Sequence, residues 1–311
     1  FEGMVVSDWH GVGEVKGCTN DDCAQAVNAG VDMLMVPTDW KSLYHNTLAQ
    51  AESGEIPAAR IDEAVSNILT MKIRAGLFKR GLPSSLAAQY EDQIGHPDHR
   101  SIAREAVRKS QVLLKNENQL LPLSPIGTYL VAGPGADNIG QQSGGWSVSW
   151  QGTGNSNTDF PGGTSILDGL ERQVSAAGGR IVRDVNADVD AAVVVFGETP
   201  YAEMQGDAYT VAWYDKRGER KLINALVEKG IPVVAVFLTG RPMWINDLLN
   251  QSDAFVVSWL PGTEGEGIAD VLLRDANDAV QFDFVGTLPM PWPALDVNAA
   301  DRDMPVDEFA F

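Results

Sequence analysis

Short continuous apolar runs alternate along this chain with longer stretches whose apolar residues recur every third or fourth position. The first pattern fits strands covered on both faces, and the second fits helices with one covered side. Residues 1–80 read as strand, helix, strand, helix: MVVS at 4–7, DCAQAVNAG at 22–30, VDMLMVP at 31–37 and ARIDEAVSNILTMKIRAGLF at 59–78. The last segment carries Ile61, Ala64, Val65, Ile68, Leu69, Met71 and Ile73 at helical spacing and stops near Gly76. Strand–helix–strand–helix is the unit of an α/β fold, and two units do not close a domain. Further units are expected before residue 1, because MVV and VDMLMV need cover on both faces that residues 1–80 cannot supply. The chain is therefore read as the C-terminal part of a longer protein, insoluble or partly unfolded when made alone.

Residues 81–98, GLPSSLAAQYEDQIGHPD, have little periodicity and read as a linker. A helix is predicted over 101–115, with Ile102, Ala103, Ala106, Val107 and Leu113 as its apolar positions. Strands are predicted at 129–132, 180–182, 191–196, 233–237 and 255–259, with helices at 165–177, 216–229 and 266–273. That alternation predicts a second α/β domain over 99–295, a doubly wound, mostly parallel sheet of about five or six strands. Ligands of such sheets bind beyond the carboxyl ends of the strands, where GPGADNIGQQSGGW and GETPYAEMQGD leave strands 129–132 and 191–196. After residue 286 an edge-like strand and then a Pro- and Asp-rich tail are expected, with 296–311 beginning a further domain or serving as a tail.

Composition narrows the function classes. The 311 residues are 44% hydrophobic, enough for a globular chain with a sizeable core. The formal net charge of −19 argues against nucleic acid and against an anionic membrane surface as partners, while a neutral polymer is indifferent to it. No apolar run reaches the roughly 18 residues of a membrane span. Cys18 and Cys23 lie five apart in GCTNDDC, either as a disulfide closing a small loop or as two free thiols. The scattered His10, His45, His96 and His99 form no metal motif.

Three strings carry chemistry: FEGMVVSDWHG at 1–11, GGWSVSWQG at 144–152 and FGETPYAEMQGD at 196–207. A retaining glycosidase needs an ionised carboxylate to attack the anomeric carbon and a second, protonated carboxyl roughly 5–5.5 Å away for the leaving oxygen. Asp8, where the first strand gives way to a loop, is the candidate nucleophile; its bland alternative is a helix cap or strand-end turn. Glu198, at the end of strand 191–196, and Glu203, further out, are both candidates for the acid/base, and exposed loop carboxylates are their bland alternative. Trp146 and Trp150 sit among glycines and serines, where their faces can stack on pyranose rings; the alternative is a pair of core tryptophans. GPGADNIG lacks the spacing and the Lys-Ser/Thr of a phosphate loop.

From Phe1 to about residue 295 the chain resembles glycoside hydrolase family 3, in its exo-β-glucanase/β-glucosidase branch. The carriers are SDWHG, RIDEAVSNILTMKIRAGLF, AREAVRKSQVLLKNENQLLPL, GGWSVSWQG and GETPYAEMQGD. The resemblance implies a (β/α)8-type barrel, of which 1–80 are the last strands and helices, followed by an α/β sandwich, with the active site between them. It implies Asp8 as nucleophile, Glu198 rather than Glu203 as acid/base, and Trp9 and Trp146 as a sugar clamp; Trp150 and Glu203 stand beside these as candidate substrate-binding residues from the reading of the residues themselves. It implies no metal or organic cofactor, an extracellular or periplasmic location, and an N-terminal barrel segment of the same protein as partner. The loop His10-Gly11-Val12-Gly13-Glu14 departs from the plant enzymes, which carry Glu and then Arg there, so linkage preference does not carry over. The expected activity is a retaining exo-β-glucan glucohydrolase or β-glucosidase acting on β-1,3/1,4-linked gluco-oligosaccharides. The rivals are a β-xylosidase, an N-acetylglucosaminidase, against which GETPYAEMQGD counts, and a non-catalytic glucan-binding module.

Overall fold

Strands made of unbroken apolar residues can be buried only between two layers, and the largest sheet here is of that kind. The computed structural model describes residues 1–215 and 218–294. It divides into two units, Phe1–Glu91 and Asp92–Phe311; the boundary falls inside the segment read as a linker.

In the first unit, 4–7 and 31–36 lie parallel but meet in a single isolated bridge, Val6 to Met33, and do not form the two buried strands read from the sequence, because among the described residues no neighbouring strand covers them. Ser7 N–H donates to Met33 O at 2.9 Å and His10 N–H to Met35 O at 3.0 Å. The helices are α1 (Ala24–Asn28), α2 (Trp40–Ser53), α3 (Ala58–Arg74) and α4 (Pro83–Tyr90). Helix α2 escaped the sequence reading because WKSLYHNTLAQAES carries a weak apolar stripe and buries no residue. Helix α4 lies in the supposed linker; its Pro83 sits in the first turn, where a missing N–H costs nothing. Asp32 ties the unit together: it accepts from Val5 N–H at 2.9 Å and from Arg60 at 2.6 Å, and contacts Asn67 on α3. Burial pushes its proton affinity up, but the Arg60 guanidinium and the other donors outweigh that and hold it below the ordinary carboxylate range. Cys18 and Cys23 form a disulfide, which resolves the alternative left open above. Val5, Val6 and Met35 remain exposed, as do Val65, Leu69 and Ile73 of α3.

The second unit begins with α5 (Pro97–Ser110) and β1 (Val112–Asn116). This corrects the helix predicted over 101–115. Gln111 turns extended, and Val112 and Leu113 pair antiparallel with Val257 and Val256. Their sheet partners outweigh local helical spacing. The remaining elements are β2 (Thr128–Ala132), α6 (Ile139–Ser143), α7 (Ile166–Ala176), β3 (Arg180–Val182), β4 (Ala191–Gly197), α8 (Glu219–Glu228), β5 (Val233–Leu238), α9 (Asn246–Gln251), β6 (Ala254–Trp259) and α10 (Glu266–Leu272). The six strands take the order β1-β6-β5-β4-β2-β3, parallel except for β1. Side chains along β4 alternate between two cores. Ala191, Val193 and Val195 pack with α5, α7 and α10, while Ala192, Val194 and Phe196 pack with α8 and α9. The sheet is thus doubly wound, as predicted.

Residues 286–294 add no strand to the sheet, contrary to the edge-like strand expected there. Pro289, Pro291 and Pro293 cannot donate to a ladder, and Trp292 is instead fully buried, edge-on to Trp259. The tail 296–311, the last residue of the 99–295 domain, and the first two residues of the helix predicted over 216–229 lie outside the described residues.

Candidate active site

Chain order fixes where a ligand can enter the second unit. From β2 the chain goes first to β3 on one side and then to β4 on the other. The loops leaving β2 and β4 therefore part at the sheet's topological switch point, where a crevice opens beyond the carboxyl ends. These are the loops that carry GGWSVSWQG and GETPYAEMQGD.

Glu198 stands directly beyond β4. Gly197 crosses β5 so closely that a Cβ would lie 1.9 Å from Leu238 O, and Glu198 N–H donates to that same oxygen at 2.8 Å. The Glu198 side chain is about one-tenth exposed and pairs with Arg241, whose Nε donates to Oε1 at 3.0 Å. Oε2 accepts from Thr239 Oγ1 at 2.7 Å, Tyr201 Oη at 3.1 Å and Gly240 N–H at 3.2 Å. The Arg241 guanidinium lies 4.3 Å from the centre of the Tyr201 ring. Burial, and then the charge of Glu198, push the Tyr201 phenol up to about 12, so it is a hydroxyl at any working pH.

Glu203 lies further out and is exposed. Its two oxygens accept from the indole N–H groups of Trp150, at 2.6 Å, and Trp146, at 3.2 Å. The Trp150 bond is the main reason its carboxyl is held below the ordinary range. The two rings lie 6.2 Å apart at 47°, and both are exposed, Trp146 at 70% and Trp150 at 47%. They are not core tryptophans. Trp146 and Val148 both take positive φ, 60° and 62°, a strained conformation that collects at functional loops. Gly145 is required for the docking of this loop on the next: a Cβ there would lie 2.0 Å from Tyr201 O. Gln151 staples the two loops, accepting from Ala202 N–H at 2.7 Å and donating to Glu203 O at 3.1 Å. Gln141 on α6 donates to Glu198 O at 3.0 Å. Between these elements is a cavity of about 240 Å³ lined by Trp146, Glu198, Tyr201, Gln141 and Leu260 among others.

Asp8 and Trp9 lie in the first unit, both exposed, just after the Val6–Met33 bridge. Trp9 N–H donates to Asp8 Oδ1 at 2.8 Å, and Ser7 Oγ bridges Asp8 O and Met35 N–H. His10 follows with a φ of 55°, so the chain turns sharply behind the carboxylate. Of the predicted residues, the second unit thus brings together Glu198, Glu203, Trp146 and Trp150.

Sequence reading missed Tyr201, Gln151 and the trio Thr239, Gly240 and Arg241. The trio had a signal: it follows β5, adjacent to β4 and parallel to it, so it must emerge at the same end of the sheet as Glu198. Among the described residues no group of three or more His, Cys, Asp or Glu is arranged to hold a metal ion, and no helix is long and apolar enough to cross a membrane.

Residues 111–309 match the profile of the glycosyl hydrolase family 3 C-terminal domain, and residues 1–71 that of the family 3 N-terminal domain. The chain is similar to the lysosomal beta glucosidase of Dictyostelium discoideum, 34% identical over 94% of this chain and 38% of that protein. It is 29% identical to the beta-xylosidase of Formosa agariphila, over 94% of this chain and 43% of that protein. Among solved structures, the exo-1,3/1,4-beta-glucanase ExoP from a Pseudoalteromonas species superposes with a TM-score of 0.92 and 49% identity, over 95% of this chain and 38% of that one. The chain thus spans less than half of the length of each of these proteins.

Proposed function

We infer the function of this chain from a premise now in hand, that it belongs to glycoside hydrolase family 3. We propose that it is the C-terminal part of a retaining, exo-acting β-glucan glucohydrolase or β-glucosidase releasing glucose from the non-reducing ends of β-1,3/1,4-linked gluco-oligosaccharides. Residues 1–80 would be the last part of the barrel and 99–295 the sandwich domain. An N-terminal barrel segment would cover the exposed apolar side of the first unit, which holds a groove of about 520 Å³ lined by Leu34, Trp40, Leu48, Val65 and Ile68. The disulfide supports an oxidising compartment, extracellular or periplasmic.

One observation carries the sugar-binding reading. Two exposed tryptophans are held side by side by one carboxylate, at the rim of a cavity that Glu198 also lines. Apolar ring faces held in water at the switch point fit the C–H faces of pyranose rings. In the reaction, Asp8 attacks C1, the glycosidic C1–O bond breaks with its electron pair on the leaving oxygen, and Glu198 gives that oxygen a proton. Water then attacks C1 of the glycosyl ester, Glu198 takes the water proton, and the ester bond returns its electrons to Asp8. Trp9, Trp146, Trp150 and Glu203 hold the sugar.

A second reading exchanges the roles of the two glutamates. One observation speaks for it: all four partners of the Glu198 carboxylate present an N–H or O–H, whereas Glu203 faces solvent beside both rings. Against it stand the two indole donors that hold Glu203 below the ordinary range. Glu198→Ala and Glu203→Ala in the intact enzyme separate the two. Loss of the acid costs about 10²–10⁴-fold on a disaccharide and much less on dinitrophenyl glucoside, whose leaving group departs unaided, and azide rescues turnover as glycosyl azide. That pattern in Glu203→Ala alone would reverse the assignment. A xylosidase, the other rival within the family, would prefer aryl xyloside to aryl glucoside.

A further inference from the structure

Glu203 stands on a turn that closes on itself. Gly206 N–H donates to Ala202 O at 2.8 Å and Gln205 N–H to Glu203 O at 2.8 Å. These bonds give the turn its shape and do not tie it to the sheet. Arg241, from the turn after β5, does. Its Nη1 donates to Gly206 O at 2.7 Å, its Nε donates to Glu198 Oε1 at 3.0 Å, and its guanidinium lies 4.3 Å from the centre of the Tyr201 ring. One planar fork thus grips both ends of the segment 198–206 and packs on its middle. We propose that Arg241 is a positioning residue: it staples this segment to the end of β5 and so sets Glu203 where its two oxygens hold Trp146 and Trp150 side by side. The role rests on the reading of those two rings as sugar-holding and is independent of which glutamate gives the proton.

Arg241 is itself fixed. Its N–H donates to Thr239 Oγ1 at 3.1 Å, and the Thr239 hydroxyl lies 2.7 Å from Arg241 O, so its backbone is anchored to a fully buried residue at the end of β5. Its two donors stand in a rigid fork and meet acceptors on different residues, which an ammonium on a flexible stem does not reproduce. The Tyr201 ring fills the space beneath. A Cβ on Gly206 would lie 2.5 Å from its Cδ2, and one on Gly240 would lie 2.7 Å from its hydroxyl oxygen. The ring therefore fits only between two residues without side chains. On the far side of the turn, Glu203 meets the Trp150 and Trp146 indoles. The exposed pair of rings is thereby referred back to a buried strand through one side chain. Without Arg241, Glu198 keeps Thr239, Tyr201 and Gly240 as donors, so no buried carboxylate is stranded and the unit should still fold.

The test is Arg241→Ala in the intact enzyme, read as binding in an Asp8→Ala background so that no bond is cleaved. The probes are a β-linked glucose trisaccharide and glucose, a single ring that ends at the cleaved bond. Kd for the trisaccharide should rise about tenfold, the scale of one lost hydrogen bond from a charged group, while Kd for glucose changes by less than about twofold. Guanidinium ion, added below denaturing concentration, should fill the vacated space and restore trisaccharide affinity, a rescue that a general loss of structure would not show. Arg241→Lys keeps the charge without the fork and should bind the trisaccharide as weakly as Arg241→Ala. Gly206→Ala pushes the turn off Tyr201 and leaves the Arg241–Glu198 pair in place. It should weaken the trisaccharide in the same way without guanidinium rescue, which keeps the test open if Arg241→Ala does not fold. Unchanged trisaccharide binding, equal weakening of glucose and trisaccharide, a loss in Arg241→Ala that guanidinium does not restore, or native affinity in Arg241→Lys would overturn the inference, provided Trp146→Ala in the same background weakens the trisaccharide. If Trp146→Ala leaves it unchanged, it is the sugar-holding reading of the rings that fails.

Discussion

Asp270 offers a stability prediction whose size can be worked out from its contacts. It sits on α10 with 1% of its side chain exposed and accepts from Arg104 at 2.7 and 2.5 Å, from Arg108 at 3.0 Å and from Gln173 at 2.7 Å. These bonds join α10 to α5 and α7, the helical layer on one face of the sheet. Asp270→Asn keeps the shape and removes the charge. Breaking a buried ion pair costs about 3–5 kcal/mol when the surviving charge is sealed from water. Here Arg104 and Arg108 are partly exposed and Arg104 keeps Glu266 at 3.1 Å, so the loss should be about 2–3 kcal/mol. For a unit of this size that lowers Tm by roughly 4–12 °C. Burial opposes ionisation of Asp270, but the arginines and Gln173 outweigh it and hold its carboxyl below the ordinary range. A folded-state value below the unfolded one, about 3.9, means the stabilisation is fully present above that pH and disappears as pH falls through the folded value. Urea unfolding of the intact enzyme and its Asp270→Asn variant, followed by tryptophan fluorescence at neutral pH and below pH ~4, reads both effects. A neutral-pH difference under about 0.5 kcal/mol, the level of an ordinary surface substitution, or a difference that widens on acidification, would refute the reasoning.

Two further predictions address the chemistry. Asp8→Ala should abolish turnover with the fold intact by circular dichroism, and the native enzyme should release the β-anomer first; an α-anomer as first product in the NMR spectrum would refute the double displacement. Trp146→Ala should raise KM about tenfold for oligosaccharides, the scale of one aromatic contact, and less for aryl glucosides; equal changes for both would show that the ring does not hold a sugar beyond the cleaved bond.

Much of this was legible in the residues because the parallel sheet is written in unbroken apolar runs. AAVVVF at 191–196 and VVAVF at 233–237 have one physical solution, a strand between two helical layers, and both form it. Periodicity misled where a segment's partner lay far away in sequence. Val112 and Leu113 continue the apolar stripe of α5, yet their pairing with Val257 and Val256, well over a hundred residues later, makes them a strand. Helix α2 was invisible for the opposite reason, since it buries nothing and so shows no strong stripe. In the site, the carboxylates and tryptophans stood out because charge and large aromatic rings among glycines have few structural uses. Thr239 and Arg241 did not stand out, because a threonine and an arginine after a strand have many. Their meaning appears only when strand order puts the end of β5 beside the end of β4.

That adjacency also explains how one sheet can hold a fixed carboxylate and an adaptable aromatic surface. Glu198 sits on the strand end itself, with its backbone bonded to β5 and both oxygens held by the turn that follows β5. Such a group moves only if two central strands move, and those strands are wholly buried. Trp146 and Trp150 instead stand on a loop that meets the next one through Gly145, Gln151 and Glu203. These links are a backbone contact and hydrogen bonds at the surface, so the rings can shift or be replaced without disturbing the sheet. Substitutions that alter what the crevice holds would therefore fall on residues 144–152, while Glu198, Thr239 and Arg241 stay fixed by the strand ends that carry them.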